Sequence, residues 1–93
     1  MSTTIKFKKP YTFEGVEHEE VTLDLDNLKG RDITETQSQY TAEGKFSAMV
    51  ATDSEFCKRI AALAASQPLE FFDELPANEF IKVTQSVQNF LLA

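Results

Sequence analysis

The chain has no tryptophan, one cysteine, one histidine, three glycines and three prolines among its 93 residues. Each scarcity excludes something. A single cysteine rules out an internal disulfide and fits a reducing compartment. One His and one Cys are too few for a closed zinc site. There is no glycine-rich phosphate loop and no serine nucleophile elbow. The longest apolar stretches, IAALAA and NFLLA, are far too short to span a bilayer, and MSTTIKFKK lacks the apolar stretch of a secretory signal. Basic residues are also short, nine against fifteen acidic, for a net charge of −6. That balance disfavours nucleic-acid backbones and anionic membranes as partners and favours solubility or a basic protein partner.

What is present is apolar and aromatic. The chain is 42% hydrophobic, with eight Phe. A chain of this length buries roughly 60–65% of its unfolded surface. At about 1.5–3 kcal/mol per buried Phe, a modest core is within reach. The expectation is one α+β domain over residues 1–93: an N-terminal antiparallel β-hairpin over 1–26, then three to four α-helices over 27–93.

Residues 4–25 alternate with period two. Ile5 and Phe7 stand against Lys6 and Lys8, and Val21, Leu23 and Leu25 against Thr22 and Asp24. Glu14-Gly15 supplies a hairpin turn. A strict two-residue loop there would pair odd positions with even ones, whereas the apolar residues are odd on both arms. Directly paired residues share a face, so an odd-length loop or a bulge must lie between Lys9 and Val16. Pro10, which has no N–H to donate, marks the place for it.

After Asn27 the period becomes helical. Residues 31–43 carry a thin stripe, Ile33 and Tyr40 with Thr36 and Gln37 between, and Gly44 is a stop signal. Residues 53–66 form a stronger helix, with Thr52 and Glu55 at capping-box spacing and Phe56, Ile60, Leu63 and Ala64 as its buried face. Pro68 opens a short helical turn through LEFFDEL, and Pro76 begins the last helix.

Candidates for chemistry are few. His18, in VEHEEV, has no companion ligands and reads as a solvated strand residue. LDLDN lacks the central Gly and closing Glu of a calcium loop, leaving Asp24 on an outward strand face and Asp26 in the exit turn. Cys57 follows Phe56 in an apolar helix, with the only His on the hairpin, and reads as a buried structural thiol. Lys6, Lys8 and Lys9 are the wet face of an exposed strand rather than a phosphate site. No catalytic, cofactor-binding or metal-ligating residue emerges, so no enzyme is expected and no cofactor.

The C-terminal segment carries the interaction signal. Phe80, Val83, Val87 and Phe90 form a core stripe. Ile81 and Leu92 fall together about 20° apart on a helical wheel, displaced from that stripe. Adjacent Phe71 and Phe72 cannot both point straight inward from one helix. Ile81, Leu92 and one of Phe71 or Phe72 are therefore candidate partner-binding residues.

Three stretches stand in an order and spacing that resembles the tail assembly chaperones of long-tailed bacteriophages. They are the lysine-proline hairpin IKFKKPYTFEGVEHEEVTLDL, the Leu-x-Gly-Arg-Asp junction in LDNLKGRDITETQSQY, and LPANEFIKVTQSVQNFLL with its Leu-Pro-Ala, acidic-Phe and terminal Phe-Leu pattern. With the alanine-rich helix the likeness covers nearly the whole chain. It departs at Asn78-Glu79, where the acid is kept only at Glu79, and in the polar helix after Gly30. The resemblance implies a non-enzymatic protein of the host cytoplasm, absent from the finished tail. Such a protein binds the tape measure protein and keeps it soluble until tail tube subunits polymerise around it. The tail tube protein is a second candidate partner, and a frameshifted longer product is frequent in the family. The residues alone also fit a generic cytosolic protein-interaction adaptor or a small acidic regulatory inhibitor. Self-association is not decided by the pattern.

Overall fold

Strand β1 (Thr3–Phe13) and strand β2 (Val16–Leu23) form a two-stranded antiparallel sheet. The computed structural model describes residues 3–93, so residues 1 and 2 of the expected hairpin span lie outside the described residues. Glu14 and Gly15 both take positive φ, 51° and 80°. A two-residue turn needs this to match the twist of its strands, and Gly adopts it without strain.

The tip keeps the two-residue register, with Phe13 opposite Val16 and Tyr11 opposite His18. Below it, four residues of β1, Phe7 to Pro10, face the single Glu19 of β2. Three extra residues is an odd number, so parity is restored and Ile5 comes to lie opposite Val21. The expected irregularity is thus a bulge that contains Pro10, but it begins at Phe7 rather than at Lys9. Ile5, Val21, Leu23 and Leu25 are buried together and Phe7 packs against them.

Four helices follow, beyond a short 3-10 turn at Leu25–Asn27: α1 (Gly30–Ala42), α2 (Ser54–Ala65), α3 (Leu69–Asp73) and α4 (Ala77–Leu91). Helix α1 starts where the Asp32 carboxylate accepts the Lys29 N–H at 2.8 Å, which satisfies a donor at the helix start. It ends at Gly44, φ 80°. Thr36 and Tyr40 are its buried residues, while Ile33 is only partly covered and Gln37 is exposed.

Helix α2 is the centre of the fold, packed by α1, α3, α4 and β2. Its alanines allow those neighbours to approach closely. The N-cap is Asp53, whose Oδ1 accepts the Phe56 N–H at 3.0 Å, and not Thr52, whose hydroxyl donates to the Met49 carbonyl. Glu55 reaches forward instead of back, to Lys58 and Arg59. Leu63, expected on the buried face, is 48% exposed. It looks out between α1 and α3, beside Leu69, because the side of α1 that faces it presents Asp32, Glu35, Thr36 and Gln39.

Phe71 and Phe72 are both fully buried, which corrects the expectation that one of them faces a partner. Adjacent helix positions point about 100° apart, and α3 is a wedge with apolar neighbours in both directions. Phe71 turns to the hairpin, its ring edge-on to Tyr11, Phe13 and His18 at 5.1, 5.3 and 5.0 Å. Phe72 lies within the helical core, edge-on to Phe71. The Tyr11 hydroxyl donates to the Phe71 carbonyl at 2.7 Å. His18 is consequently a half-buried member of this aromatic cluster and not a solvated strand residue.

Candidate protein-binding surface

Helix α4 starts after Pro76, whose carbonyl accepts the N–H groups of Glu79 and Phe80. Pro76 has no N–H to satisfy and has a fixed φ, and it stands one position earlier than expected, at the N-cap. Val83, Thr84 and Val87 form the buried side of α4, flanked by partly covered Phe80 and Leu91. Phe90 was expected in this stripe, but it lies at the edge and is 36% exposed.

The first turn of α4 is tied to the bulge. Glu79 is buried, and its Oε2 accepts the Lys8 backbone N–H at 2.6 Å. Its Oε1 lies 2.6 Å from the Lys82 ammonium, which also donates to the Lys6 carbonyl at 3.2 Å. One acid and one base, three residues apart on the helix, thus serve an N–H and a C=O on the irregular strand. The Lys82 ammonium, ahead of the Lys8 N–H, holds the Glu79 carboxyl below its usual range despite burial.

With its inner side committed, α4 turns Ile81 and Leu92 outward, at 56% and 53% exposure. Ile81 is a ridge between two shallow depressions. One is walled by Ile5, Lys6 and Gln85, the other by Phe72, Leu75, Ala77 and Phe80. The structure therefore brings Ile81 and Leu92 to one side of α4 and withdraws Phe71 and Phe72. Outside α4 and the hairpin, Phe46 (85% exposed) and Met49 stand out from the loop between α1 and α2. No periodicity marks that loop in the sequence.

Cys57 is buried, its Sγ against the Ala51 carbonyl at 3.4 Å, and burial with the nearby Asp53 charge pushes the thiol up to about 11. It is a protonated, weakly nucleophilic thiol at neutral pH. Arg59 is buried between Glu43 (2.6 Å) and Glu55 (3.2 Å), fastening the end of α1 to α2. Lys58 joins Glu55 to Asp73 and so fastens α3. Among the described residues no cluster of His, Cys, Asp and Glu could hold a metal ion, and no helix is long and apolar enough to cross a membrane.

The family of phage tail assembly chaperone proteins, E, or 41 or 14, matches residues 4–92. The chain belongs to that family. No curated protein and no solved structure matches it. The stretches that carry the likeness are the joints of this chaperone's fold: Pro10 sits in the bulge, Asp32 starts α1, and Pro76 and Glu79 start and anchor α4. Two structural features of this region were missed in the sequence, the Glu79–Lys82 clasp and the Arg59 network. The local pairs Glu79–Lys82 and Glu55–Arg59 stand at helical spacing in the sequence, but their further partners, Lys6, Lys8 and Glu43, come near only on folding.

Proposed function

We propose that this tail assembly chaperone binds the tape measure protein of its phage in the host cytoplasm and keeps it soluble until the tail tube forms around it. On this reading it acts without catalysis and leaves before the tail is complete. The observation that carries the proposal is the outer side of α4, where two large aliphatic side chains, Ile81 and Leu92, stand more than half exposed. An exposed aliphatic stripe on a helix suits an amphipathic client segment, whose own apolar stripe would otherwise drive aggregation. The net charge of −6 keeps such a complex dispersed and steers basic client segments toward it.

Co-expression of the chaperone with the tape measure protein tests this. Leu92→Asp should change stability by no more than about 1 kcal/mol, as a surface substitution. It should nevertheless lower the yield of soluble client, because a charge would be buried unpaired at the contact. Wild-type protein that neither binds nor solubilises the client would overturn the reading.

A further inference from the structure

The outer side of α4 has a second property, its symmetry. Ile81, Gln85, Gln88 and Leu92 follow one another at intervals of four, three and four. On an α-helix these positions lie within an arc of about 60° and along about 16 Å of axis. The pattern reads the same in both directions about a midpoint between Ser86 and Val87. Two copies of the helix laid antiparallel would set Ile81 against Leu92 of the other copy, and Gln85 against Gln88. Aliphatic side chains would meet aliphatic ones, and amides, which both donate and accept, would meet amides.

Charge selects the same side. Two chains of net charge −6 repel, and contact costs least where that charge is locally absent. The hairpin bears Glu14, Glu17, Glu19 and Glu20, and the region of α3 bears Glu70, Asp73 and Glu74, all exposed. From Phe80 to Ala93 the only charged side chain is Lys82, and Glu79 neutralises it at 2.6 Å. The antiparallel arrangement also keeps the two sets of Lys6, Lys8 and Lys82 at opposite ends. A parallel one would place them side by side.

We infer that this chaperone associates with a second copy of itself through the outer side of α4, in an antiparallel helix pair centred between Ser86 and Val87. Four side chains per copy bury less than the roughly 1,200–2,000 Å² of a stable complex, so the dimer is reversible and concentration-dependent. Its use as a reserve state that a client displaces rests on the proposed function above; the dimer itself does not.

Sedimentation velocity over a concentration series tests the pairing. The wild-type mass should climb from one chain, 10.5 kDa, towards two. Joint Gln85→Lys and Gln88→Lys should hold the protein at one chain, since four ammonium groups would meet at the centre. Gln85→Lys with Gln88→Glu should restore the dimer, each lysine facing a glutamate of the other copy. In a parallel pair like would meet like, and that variant would stay monomeric. As a second measurement, Ile81→Cys with Leu92→Cys should give an oxidised covalent dimer, and Ile81→Cys alone should not. A wild type that stays at one chain throughout, a monomeric Lys/Glu variant, or equal cross-linking by Ile81→Cys alone would each overturn the inference. Loss of client capture in Leu92→Asp with no dimer at any concentration would sink the inference and leave the client reading standing. A dimer that Leu92→Asp abolishes while client capture persists would support the inference and place the client on another surface.

Discussion

The Glu79 carboxylate and the Lys8 backbone N–H are seventy-one positions apart in the chain and 2.6 Å apart in the fold. The bulge in β1 frees backbone groups from the ladder, and the Lys8 N–H, partly covered, needs another partner. Glu79 supplies that partner from the first turn of α4. Its own charge is balanced by Lys82, which in turn takes the Lys6 carbonyl. Hairpin and final helix are joined by this clasp as well as by apolar packing.

Glu79→Ala should therefore destabilise the protein by about 1.5–3 kcal/mol, the range for losing a hydrogen bond to a charged group. Glu79→Gln keeps a carbonyl acceptor but loses the ion pair, and should cost less. Urea unfolding at an unchanged m-value would measure both, and an Ala variant as stable as wild type would remove the clasp from the account.

The same contact gives stability a pH dependence. The Glu79 carboxyl is held below the ordinary 4.5 chiefly by Lys82, and the Glu43 carboxyl is lowered chiefly by its hydrogen bond from Arg59. The unfolded chain thus binds these protons more readily than the folded one. The contribution is fully present above the ordinary carboxylate pKa and is lost as pH falls below it through the folded values. Unfolding midpoints should be flat above about pH 5.5 on this account and drop on the acid side. Glu79→Gln should make that drop shallower, and an identical acid limb would argue against the assignment.

Phe71→Ala should cost about 3–5 kcal/mol, the range for a large core truncation. Phe46→Ala, at an 85% exposed position, should stay within about 0.5 kcal/mol. Thermal melts of the two variants side by side separate a ring that holds α3 to the hairpin from one that meets only solvent.

Cys57 should resist alkylation at neutral pH, with its thiol pushed up to about 11 and fully covered. Mass spectrometry after a short iodoacetamide pulse should show modification rising with denaturant in step with unfolding. Rapid labelling of the native protein would mean that the helix opens locally around it.

How far the fold could be read from the chain depends on the reach of each interaction. Odd-numbered apolar residues on both arms of the hairpin demanded an irregularity, and Pro10 pointed to it. Its size of three residues and its acceptor on α4 depend on distant chain. The helical wheel separated Ile81 and Leu92 from Val83 and Val87 because that geometry is local. Phe71 and Phe72 were misread because one inward direction was assumed, whereas α3 meets apolar groups on two sides. Leu63 was misread for the converse reason, since periodicity marks an apolar stripe but not whether a neighbour exists to cover all of it. Asp53 displaced Thr52 as the cap by a single residue, a choice between adjacent oxygens that spacing alone does not make.

A sheet of two strands is nearly all rim, and open rims invite other chains to add strands. Here the rim is blunted at several points. Along β1 the Lys6 carbonyl is taken by Lys82, the Lys8 N–H by Glu79, and Pro10 has no N–H to offer. Where β2 runs out, the Asp24 N–H is given to the Ala64 carbonyl at 3.1 Å. Another chain approaching at these points meets side chains rather than a backbone template, and the hairpin remains a closed pair instead of a seed for a longer sheet.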